Sequence, residues 1–229
     1  MSLPLVFIGG NKGGVGKSLA SMALLDYWLA NDATKPVFLI ETDTSNPDVA
    51  KAYGETVPHF LPQISEREGW IDLVNELDGQ RKAAVVCNLA AQTNSHWEQF
   101  GTTLLTALRE MKRPATCLWM INRQRDSLEL LTEFREMAPG VKIHVLRNAY
   151  FGDERKFELY NGSDIRKEIE AAGGKSVTFP ELADRITDQL YTHRLTLAQA
   201  AGDAMPLGSR SEVHRWRSAC ASLFQQIGL

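Results

Sequence analysis

A glycine-rich segment near the start of the chain, residues 9–18, has the residue types and spacing of a phosphate-binding loop. It reads Gly-Gly-Asn-Lys-Gly-Gly-Val-Gly-Lys-Ser, follows an apolar run and opens an amphipathic helical pattern. Closely spaced glycines let backbone N–H groups turn towards an anion, and a following helix adds its free amides and positive dipole end. Lys17 is then placed to reach the β- and γ-phosphates of a nucleotide, and the Ser18 hydroxyl to ligate Mg²⁺. The alternative is a glycine-rich turn with incidental lysines.

The composition is that of an ordinary globular α/β protein. Hydrophobic residues make up 44% of the 229-residue chain and charged residues 23%, with a formal net charge of -3. This balance gives no global attraction to nucleic acid or anionic membranes. Three widely spaced cysteines predict buried thiols in a reducing compartment. We recognise neither a signal-peptide pattern nor an apolar run of about 20 residues, so we expect a single cytoplasmic domain over residues 1–229.

Six short apolar runs alternate with longer helical patterns along the chain. The runs are residues 3–8, 37–40, 83–87, 116–121, 142–146 and 176–179. Their near-continuous hydrophobicity is typical of strands buried on both faces. The helical patterns are residues 18–30, 71–77, 97–111, 128–137, 165–172 and 211–227, whereas residues 56–69 and 202–210 are predicted to be connections. The alternation predicts a doubly wound α/β fold with a mostly parallel central sheet and helices on both faces.

Polar residues at the ends of these runs are the next candidates, because ligands bind beyond the carboxyl ends of parallel strands. Asp43 follows the second run and could orient a water near the γ-phosphate, although Asp43 and Asp48 could instead cap a helix. Asn88 follows the third run, where an amide would hold a metal ion more weakly than a carboxylate. Asn148 follows the fifth run, and its amide could pair with the edge of adenine or favour a turn.

The segment Lys-Gly-Gly-Val-Gly-Lys-Ser, residues 12–18, resembles the deviant Walker A motif of the ParA/MinD superfamily, a group of P-loop ATPases. In that superfamily two lysines flank the glycines, and the first lysine crosses a dimer interface to contact the partner's nucleotide. The resemblance implies that Lys12 acts in trans and Lys17 in cis. It also implies an ATP-dependent homodimer with Mg²⁺ as the metal.

The resemblance continues through the later strand ends. Asp43 matches the second aspartate of an Asp-x-Asp pattern that positions the attacking water, while Glu41 replaces the first. Gln92 falls in the second switch or is an ordinary loop residue. The implied catalytic residues are Lys12, Lys17 and Asp43, and the implied Mg²⁺ ligands are Ser18 and Asp43. The implied nucleotide-binding residues are Asn11, Gly13, Gly14, Val15, Gly16, Lys17, Ser18, Leu19, Asn148 and Pro180.

A narrower resemblance involves residues 88–92 and 147–160, which are similar to plasmid conjugation proteins of the TraL and MobD type. It implies a slowly hydrolysing ATP switch in plasmid mobilisation, conjugal transfer or DNA segregation, with a transfer or partition protein as partner. Two alternatives stay open. One is a nucleotide-binding adaptor without significant hydrolysis, which Asn88 favours, and the other is a small-molecule kinase or synthetase.

The last helical pattern raises two further questions about partners. Its apolar stripe is predicted to pack on the protein's own core rather than on a membrane, because few basic side chains flank it. The stripe consists of Val213, Trp216, Cys220, Leu223 and Ile227. DNA binding would need a local basic patch, for which the candidates are Arg185, Arg194, Arg210, Arg215 and Arg217.

Overall fold

The protein is described by a computed structural model that covers residues 2–10, 12–32 and 34–229. Within these residues seven strands form one sheet in the order β3-β2-β4-β1-β5-β6-β7. All neighbouring strands pair in parallel. The strands are β1 (Leu5–Gly9), β2 (Val37–Glu41), β3 (His59–Phe60), β4 (Ala84–Asn88), β5 (Ala115–Ile121), β6 (Lys142–Asn148) and β7 (Ser176–Phe179).

The helices cover both faces of this sheet. One face packs against α1 (Lys17–Asn31), α2 (Asp48–Tyr53), α8 (Asp184–His193), α9 (Leu197–Ala201) and α10 (Leu207–Ile227). The other packs against α3 (Arg67–Gly79), α4 (Asn94–Glu110), α5 (Arg125–Met137), α6 (Glu158–Asn161) and α7 (Asp164–Ala171). The predicted doubly wound α/β fold is therefore confirmed. Because β1 lies between β4 and β5, the loop that follows β1 emerges at the middle of the carboxyl edge.

The six predicted strands are all present, and their continuous apolar runs reflect burial on both faces. Every residue of β1, β2 and β4 is buried. The seventh strand, β3, was missed because it contains two residues and lies inside the stretch predicted to be an exposed connection. It forms by pairing with β2, with Leu39 opposite His59. A pair of residues carries no detectable periodicity, so only the neighbouring strand reveals it.

The helix prediction was wrong in two respects. Four short or weakly patterned helices, α2, α6, α8 and α9, were not predicted, since they form against a surface that the rest of the fold provides. The last helix begins at Leu207 rather than at residue 211, so the connection predicted over 202–210 is shorter than expected. Helix α3 likewise begins at Arg67, inside the connection predicted over 56–69. Pro206 precedes its first turn, where a missing N–H is tolerated.

The predicted apolar stripe of α10 packs on the core, as expected. Its five residues are each no more than 5% exposed, and the Trp216 indole donates to the Pro180 carbonyl oxygen at 2.8 Å. An ion pair joins this helix to α1. Arg217 donates to both oxygens of Asp26, at 2.7 and 2.9 Å, and the Asp26 side chain is 9% exposed. Helix α10 is therefore fixed against α1, the helix that begins at the glycine-rich loop.

Removing one partner of this ion pair should destabilise the fold. Arg217→Ala leaves the Asp26 carboxyl group buried without its partner, and breaking a buried pair typically costs about 3 kcal/mol. Arg215→Ala is the control, because its pair with Glu212 is exposed and worth at most about 0.5 kcal/mol. Denaturant unfolding measures both differences. Equal stabilities of the two variants would contradict an anchoring role for Arg217.

Candidate nucleotide-binding site

The loop between β1 and α1 is built from glycines in conformations that other residues avoid. Gly10, Gly14 and Gly16 have φ angles of +133°, +70° and +104°. A Cβ atom on Gly16 would lie 2.6 Å from the Asn148 Nδ2 atom. Both the backbone angle and the lack of space therefore require glycine there. The chain then enters α1 at Lys17, and the first-turn amides of that helix lack intrahelical partners.

Lys17 is a buried cation at the start of α1. Its Nζ atom donates to the carbonyl oxygen of Lys12 at 2.9 Å. This hydrogen bond links the two lysine positions that flank the glycines. Burial lowers the pKa of Lys17 to about 8, while the charges of Asp43 and Glu41 oppose this shift. An ammonium group has three donors. Lys17 can therefore bind an anion while it keeps its contact with the loop.

A cavity of about 640 Å³ opens beside this loop at the carboxyl edge of the sheet. Its size falls in the usual range for small-molecule sites. It brings together most of the residues predicted from the sequence, namely Gly13, Gly14, Val15, Gly16, Lys17, Ser18, Leu19, Asp43, Asn148 and Pro180. The predicted residue Asn11 lies outside the described residues. Lys12 is described but does not line the cavity.

Lys12 is instead bound at the N-terminal end of α5. Its Nζ atom donates to Gln124 Oε1 at 2.6 Å and lies 2.7 Å from Asp126 Oδ2. Gln124 precedes the first turn of α5 and Asp126 belongs to it. The Lys12 ammonium group holds the pKa of the exposed Asp126 carboxyl below its usual range. Exposed ion pairs are weak, so Lys12 can exchange this contact for another.

Asp43 and Asp48 have different local roles after β2. Asp43 Oδ1 accepts a hydrogen bond from the Asn46 backbone N–H at 3.0 Å, which stabilises the turn before α2. Asp48 is the first residue of α2 and accepts from the Asn46 side chain at 2.8 Å. Neither aspartate is the N-cap of that helix, which is Pro47. Both aspartates line the cavity even though they form these contacts in the turn.

Glu41 and Asn88 form a buried polar pair, and Asn88 also lines the cavity. They lie side by side in the sheet, at the ends of β2 and β4. Asn88 Nδ2 donates to Glu41 Oε1 at 2.8 Å, and Asn88 Oδ1 accepts from the Ser21 hydroxyl at 2.9 Å. Burial raises the pKa of Glu41 to about 7, although the hydrogen bond from Asn88 favours the ionised form. Asn88 thus links β2 and β4 to α1.

Asn148 braces the glycine-rich loop from the opposite side. Its Nδ2 group donates to the Val15 carbonyl oxygen at 2.9 Å, and its Oδ1 atom accepts from the Tyr150 N–H at 3.0 Å. The second contact forms a turn, which was the alternative role predicted for Asn148. An amide has two N–H groups and its oxygen two lone pairs. The Asn148 Nδ2 group therefore keeps one N–H, and its Oδ1 atom keeps one lone pair, for pairing with a base.

Several residues that line the cavity were not predicted. Tyr150 is 57% exposed yet forms part of the wall beside Asn148 and Pro180. Its position two residues after Asn148, a predicted site residue, was the available signal. Helix α8 contributes Asp184, Thr187, Asp188 and Tyr191. These four residues were not predicted because helix α8 was not predicted.

Gln92 lies outside the lining of the main cavity. It has a positive φ of +62° and borders a neighbouring cavity of about 330 Å³ that also contains Asp43 and His96. Asp43 lines both cavities. Gln92 and Asp43 therefore share this second cavity.

The arginines considered for DNA binding are partly neutralised within the chain. Three of the five form ion pairs, Arg210 with Asp203, Arg215 with Glu212 and Arg217 with Asp26. Such pairing weakens a positive surface. Among the helices of residues 2–10, 12–32 and 34–229, none combines the length and hydropathy needed to cross a bilayer.

Comparison with solved structures identifies the fold. A MinD cell division protein from Aquifex aeolicus gives a TM-score of 0.55, with 14% identity over 97% of each chain. A nucleotide-binding protein from Archaeoglobus fulgidus, solved in complex with ADP, gives 0.51, with 15% identity over 88% of each chain. McdA from Cyanthece gives 0.50, with 12% identity over 95% of this chain and 99% of that one. The fold is that of MinD-type P-loop proteins.

A sequence relative identifies the family. Protein MobD from Acidithiobacillus ferrooxidans is 47% identical over 227 residues, which cover 99% of both chains. No protein-family model matches the sequence. The chain belongs to the family of protein MobD, and its fold is that of MinD-type proteins. Both levels of the resemblance found in the sequence are thereby confirmed.

The glycine-rich loop should tolerate a side chain at one position and not at another. Gly16→Ala forces a positive φ on alanine and meets Asn148, so we expect a loss of about 1–3 kcal/mol in unfolding free energy. Gly13→Ala is the control, because no atom lies within 4 Å of the added Cβ. We expect its stability within about 1 kcal/mol of wild type. Denaturant unfolding at equilibrium gives both values, and a Gly16→Ala variant as stable as wild type would contradict the described loop.

Proposed function

We propose that this chain is an ATP-dependent molecular switch that forms a nucleotide-sandwich homodimer and hydrolyses ATP slowly. It would act as one nucleotide-binding domain in the cytoplasm, in plasmid mobilisation, conjugal transfer or DNA segregation. The observation that carries the proposal is the buried Lys17 ammonium group beside the glycine-rich loop, at the edge of a cavity of nucleotide size. A buried cation whose hydrogen bond goes to a neutral carbonyl favours an anionic ligand.

The loop and the strand ends supply distinct parts of a phosphate site. Lys17 and the loop amides would bind the phosphate groups, and Ser18 and Asp43 would hold Mg²⁺. When bound, the ion would neutralise charge on the phosphates. Within the described residues no cluster of three or more His, Cys, Asp or Glu side chains could hold a metal by itself. Metal binding would therefore depend on the nucleotide, as is usual for Mg²⁺.

Asp43 is the candidate for positioning the attacking water. It lines the nucleotide cavity and the neighbouring cavity that contains Gln92. Its hydrogen bond with the Asn46 amide fixes the carboxylate in the turn after β2. A carboxylate held this way can orient a water molecule without a large rearrangement.

Base recognition would use Asn148 and Pro180. Asn148 keeps one donor and one acceptor position for the edge of adenine, and Pro180 lies on the same wall. The backbone of residues 13–16, together with Leu19, would complete the surface around the nucleotide. Asn11 is proposed as a member of the same loop on its sequence position alone.

The homodimer rests on Lys12. In the described chain this lysine contacts α5 and not the cavity of its own subunit. Its charge is thus available to a second copy once the weak pair with Asp126 is exchanged. In the dimer, Lys12 would neutralise charge on the partner's nucleotide in trans.

The name of the sequence relative supports the proposed biological context. The curated relative is named MobD, and we infer that the partner is a plasmid transfer or partition protein. DNA is a weaker candidate partner because three of the five arginines considered are already paired with acidic side chains. Helix α10 packs its apolar stripe into the core, which argues against its use as a membrane anchor.

One observation favours a second function, that of a nucleotide-binding adaptor without significant hydrolysis. Asn88 stands where an aspartate is expected and is neutral. Its amide is engaged by Ser21 and Glu41. If no other residue compensates for the missing charge, the protein would bind ATP and remain in the bound state.

Molar mass and ATP turnover together test the proposal. With a non-hydrolysable ATP analogue, light scattering should give twice the 25.5 kDa of one chain, and wild type should release phosphate slowly. Lys12→Ala should stay monomeric and lose turnover, because the trans charge is absent. Lys35→Ala is the control, a lysine remote from the loop in sequence. A wild-type chain that stays monomeric at saturating nucleotide would reject the dimer, and a dimer without turnover would favour the adaptor.

Asp126 should regulate how readily Lys12 becomes available. Asp126→Asn weakens the pair that holds Lys12 at α5, and exposed pairs are worth about 0.2–1 kcal/mol. We expect up to about fivefold tighter dimerisation with the ATP analogue, measured by sedimentation velocity. Asp72→Asn, at an exposed site on α3, should change nothing. Weaker dimerisation of Asp126→Asn would show that Asp126 supports the dimer rather than competes with it.

A further inference from the structure

Another cavity lies at the amino edge of the sheet, at the opposite end of the strands from the glycine-rich loop. This amino-edge cavity has a volume of about 750 Å³, which is within the usual range for ligand sites. Pro114 and Val141, which line it, directly precede β5 and β6. Because these strands are parallel neighbours, their starts lie at the same edge. The cavity is therefore separate from the nucleotide-binding cavity, with which it shares no lining residue.

The charged residues that line the amino-edge cavity are all basic. Arg109 lies in the last turn of α4, and Lys112 and Arg113 follow that helix. Among the residues that the structure describes, no Asp or Glu lines this cavity, and none of the three basic side chains forms an ion pair. Arg109 also borders a neighbouring cavity that contains Glu98 and Glu136. The positive charge that belongs to the amino-edge cavity alone is therefore that of Lys112 and Arg113.

Arg113 is the buried member of this group. It is 4% exposed, and its guanidinium group donates to the Leu77 and Ala83 carbonyl oxygens at 2.8 and 2.7 Å. These contacts join the last turn of α3 to the start of β4, but the carbonyl groups are neutral. Burial, and to a smaller extent the charge of Arg81, lowers the pKa of Arg113 to about 10. An anion bound beside Arg113 would therefore stabilise its charged form.

Two features of Arg113 favour a carboxylate as that anion. Its hydrogen bonds use two of the five N–H groups of a guanidinium, and its Nε atom has no hydrogen-bond partner within the described part of the chain. A guanidinium group is planar, and its parallel N–H groups match the two oxygens of a carboxylate. Arg113 can therefore pair with an acidic group while it keeps its contacts with α3 and β4.

The rest of the wall is mainly apolar. Pro114 and Pro139 are exposed, so the cavity opens at the surface of the protein. The contacts that DNA offers are mostly phosphate and sugar, which would leave an apolar wall uncovered. Apolar side chains next to a carboxylate would cover this wall and neutralise the cations at the same time. The apolar lining residues are Leu105, Leu108, Pro114, Ala115, Pro139 and Val141.

We propose that the amino-edge cavity binds an acidic segment of a partner protein, in which apolar side chains stand next to carboxylates. The carboxylates would pair with Arg113 and Lys112, and the apolar side chains would pack on the apolar wall. The argument for this occupant is charge complementarity, because the cavity presents cations and no acidic group among its described residues. The cavity lies at the edge of the sheet opposite the glycine-rich loop, so the inference does not depend on nucleotide binding.

The test uses short peptides that carry one neutral fluorophore. Each is titrated with the full chain in the absence of nucleotide, and binding is followed by fluorescence polarisation. The acidic probe has the sequence Leu-Glu-Leu-Glu-Leu, and two control peptides replace either both glutamates by glutamine or all leucines by alanine. We expect the acidic probe to bind at least about fivefold more tightly than either control, because each control lacks one of the two interactions.

Variants of the cavity locate the binding. Lys112→Glu reverses a charge at the exposed rim and should weaken binding of the acidic probe about tenfold, because an attraction becomes a repulsion. Lys156→Glu is the matched control, since it makes the same charge change at an exposed site outside the cavity. Arg113→Gln removes the buried charge and should also weaken binding about tenfold. Thermal unfolding shows whether Arg113→Gln folds, and if it does not, Lys112→Glu decides.

Several outcomes would overturn the inference. They are unchanged binding in Lys112→Glu or in a folded Arg113→Gln variant, an equal loss in Lys156→Glu, and equal binding of the acidic and glutamine probes. Absence of binding of the acidic probe up to about 1 mM would have the same meaning. A DNA duplex that binds where the acidic probe does not, and loses that binding in Lys112→Glu, would identify this face as a nucleic-acid surface instead.

Discussion

The carboxyl edge of the sheet is organised around one buried cation, the ammonium group of Lys17. Taking a charge out of water is unfavourable unless the protein provides compensation. Here the compensation comes from a backbone carbonyl in the loop and from the charges of Asp43 and Glu41. The pKa of Lys17, about 8, shows that this compensation is incomplete. The folded chain therefore favours the binding of an anion at this site.

Two side chains keep that cation and its loop in place from opposite sides. Asn88 ties the strands β2 and β4 to α1 through Ser21. Asn148 ties the end of β6 to Val15 and occupies the space that a side chain at Gly16 would need. Each asparagine uses both halves of its amide, which a carboxylate could not do because it only accepts. The loop is thus braced by neutral groups that do not disturb the charge balance at Lys17.

Much of this arrangement could be predicted from the sequence, because its strongest signals are local. The glycines of the loop, the continuous apolar strands and the polar residues that follow them indicated the fold and the part of the cavity that the loop lines. The short strand β3 and helix α8 could not be predicted, since each forms only against a partner that the fold supplies. For the same reason Tyr150 and the α8 residues were missing from the predicted site. The contact between Lys12 and Asp126 joins residues that are far apart in the sequence. No periodic pattern in the sequence could therefore predict it.

That last contact has a thermodynamic consequence for the surface of α5. Lys12 bound to Asp126 and Lys12 engaged elsewhere are exclusive states, so any ligand that favours one disfavours the other. Coupling between binding events is reciprocal. A protein that docks on the first turn of α5 and takes up Asp126 would free Lys12, and engagement of Lys12 would in turn free Asp126 for that protein by the same factor. If the proposed switch operates, the accessibility of Asp126 at the N-terminal end of α5 would therefore depend on where Lys12 is bound.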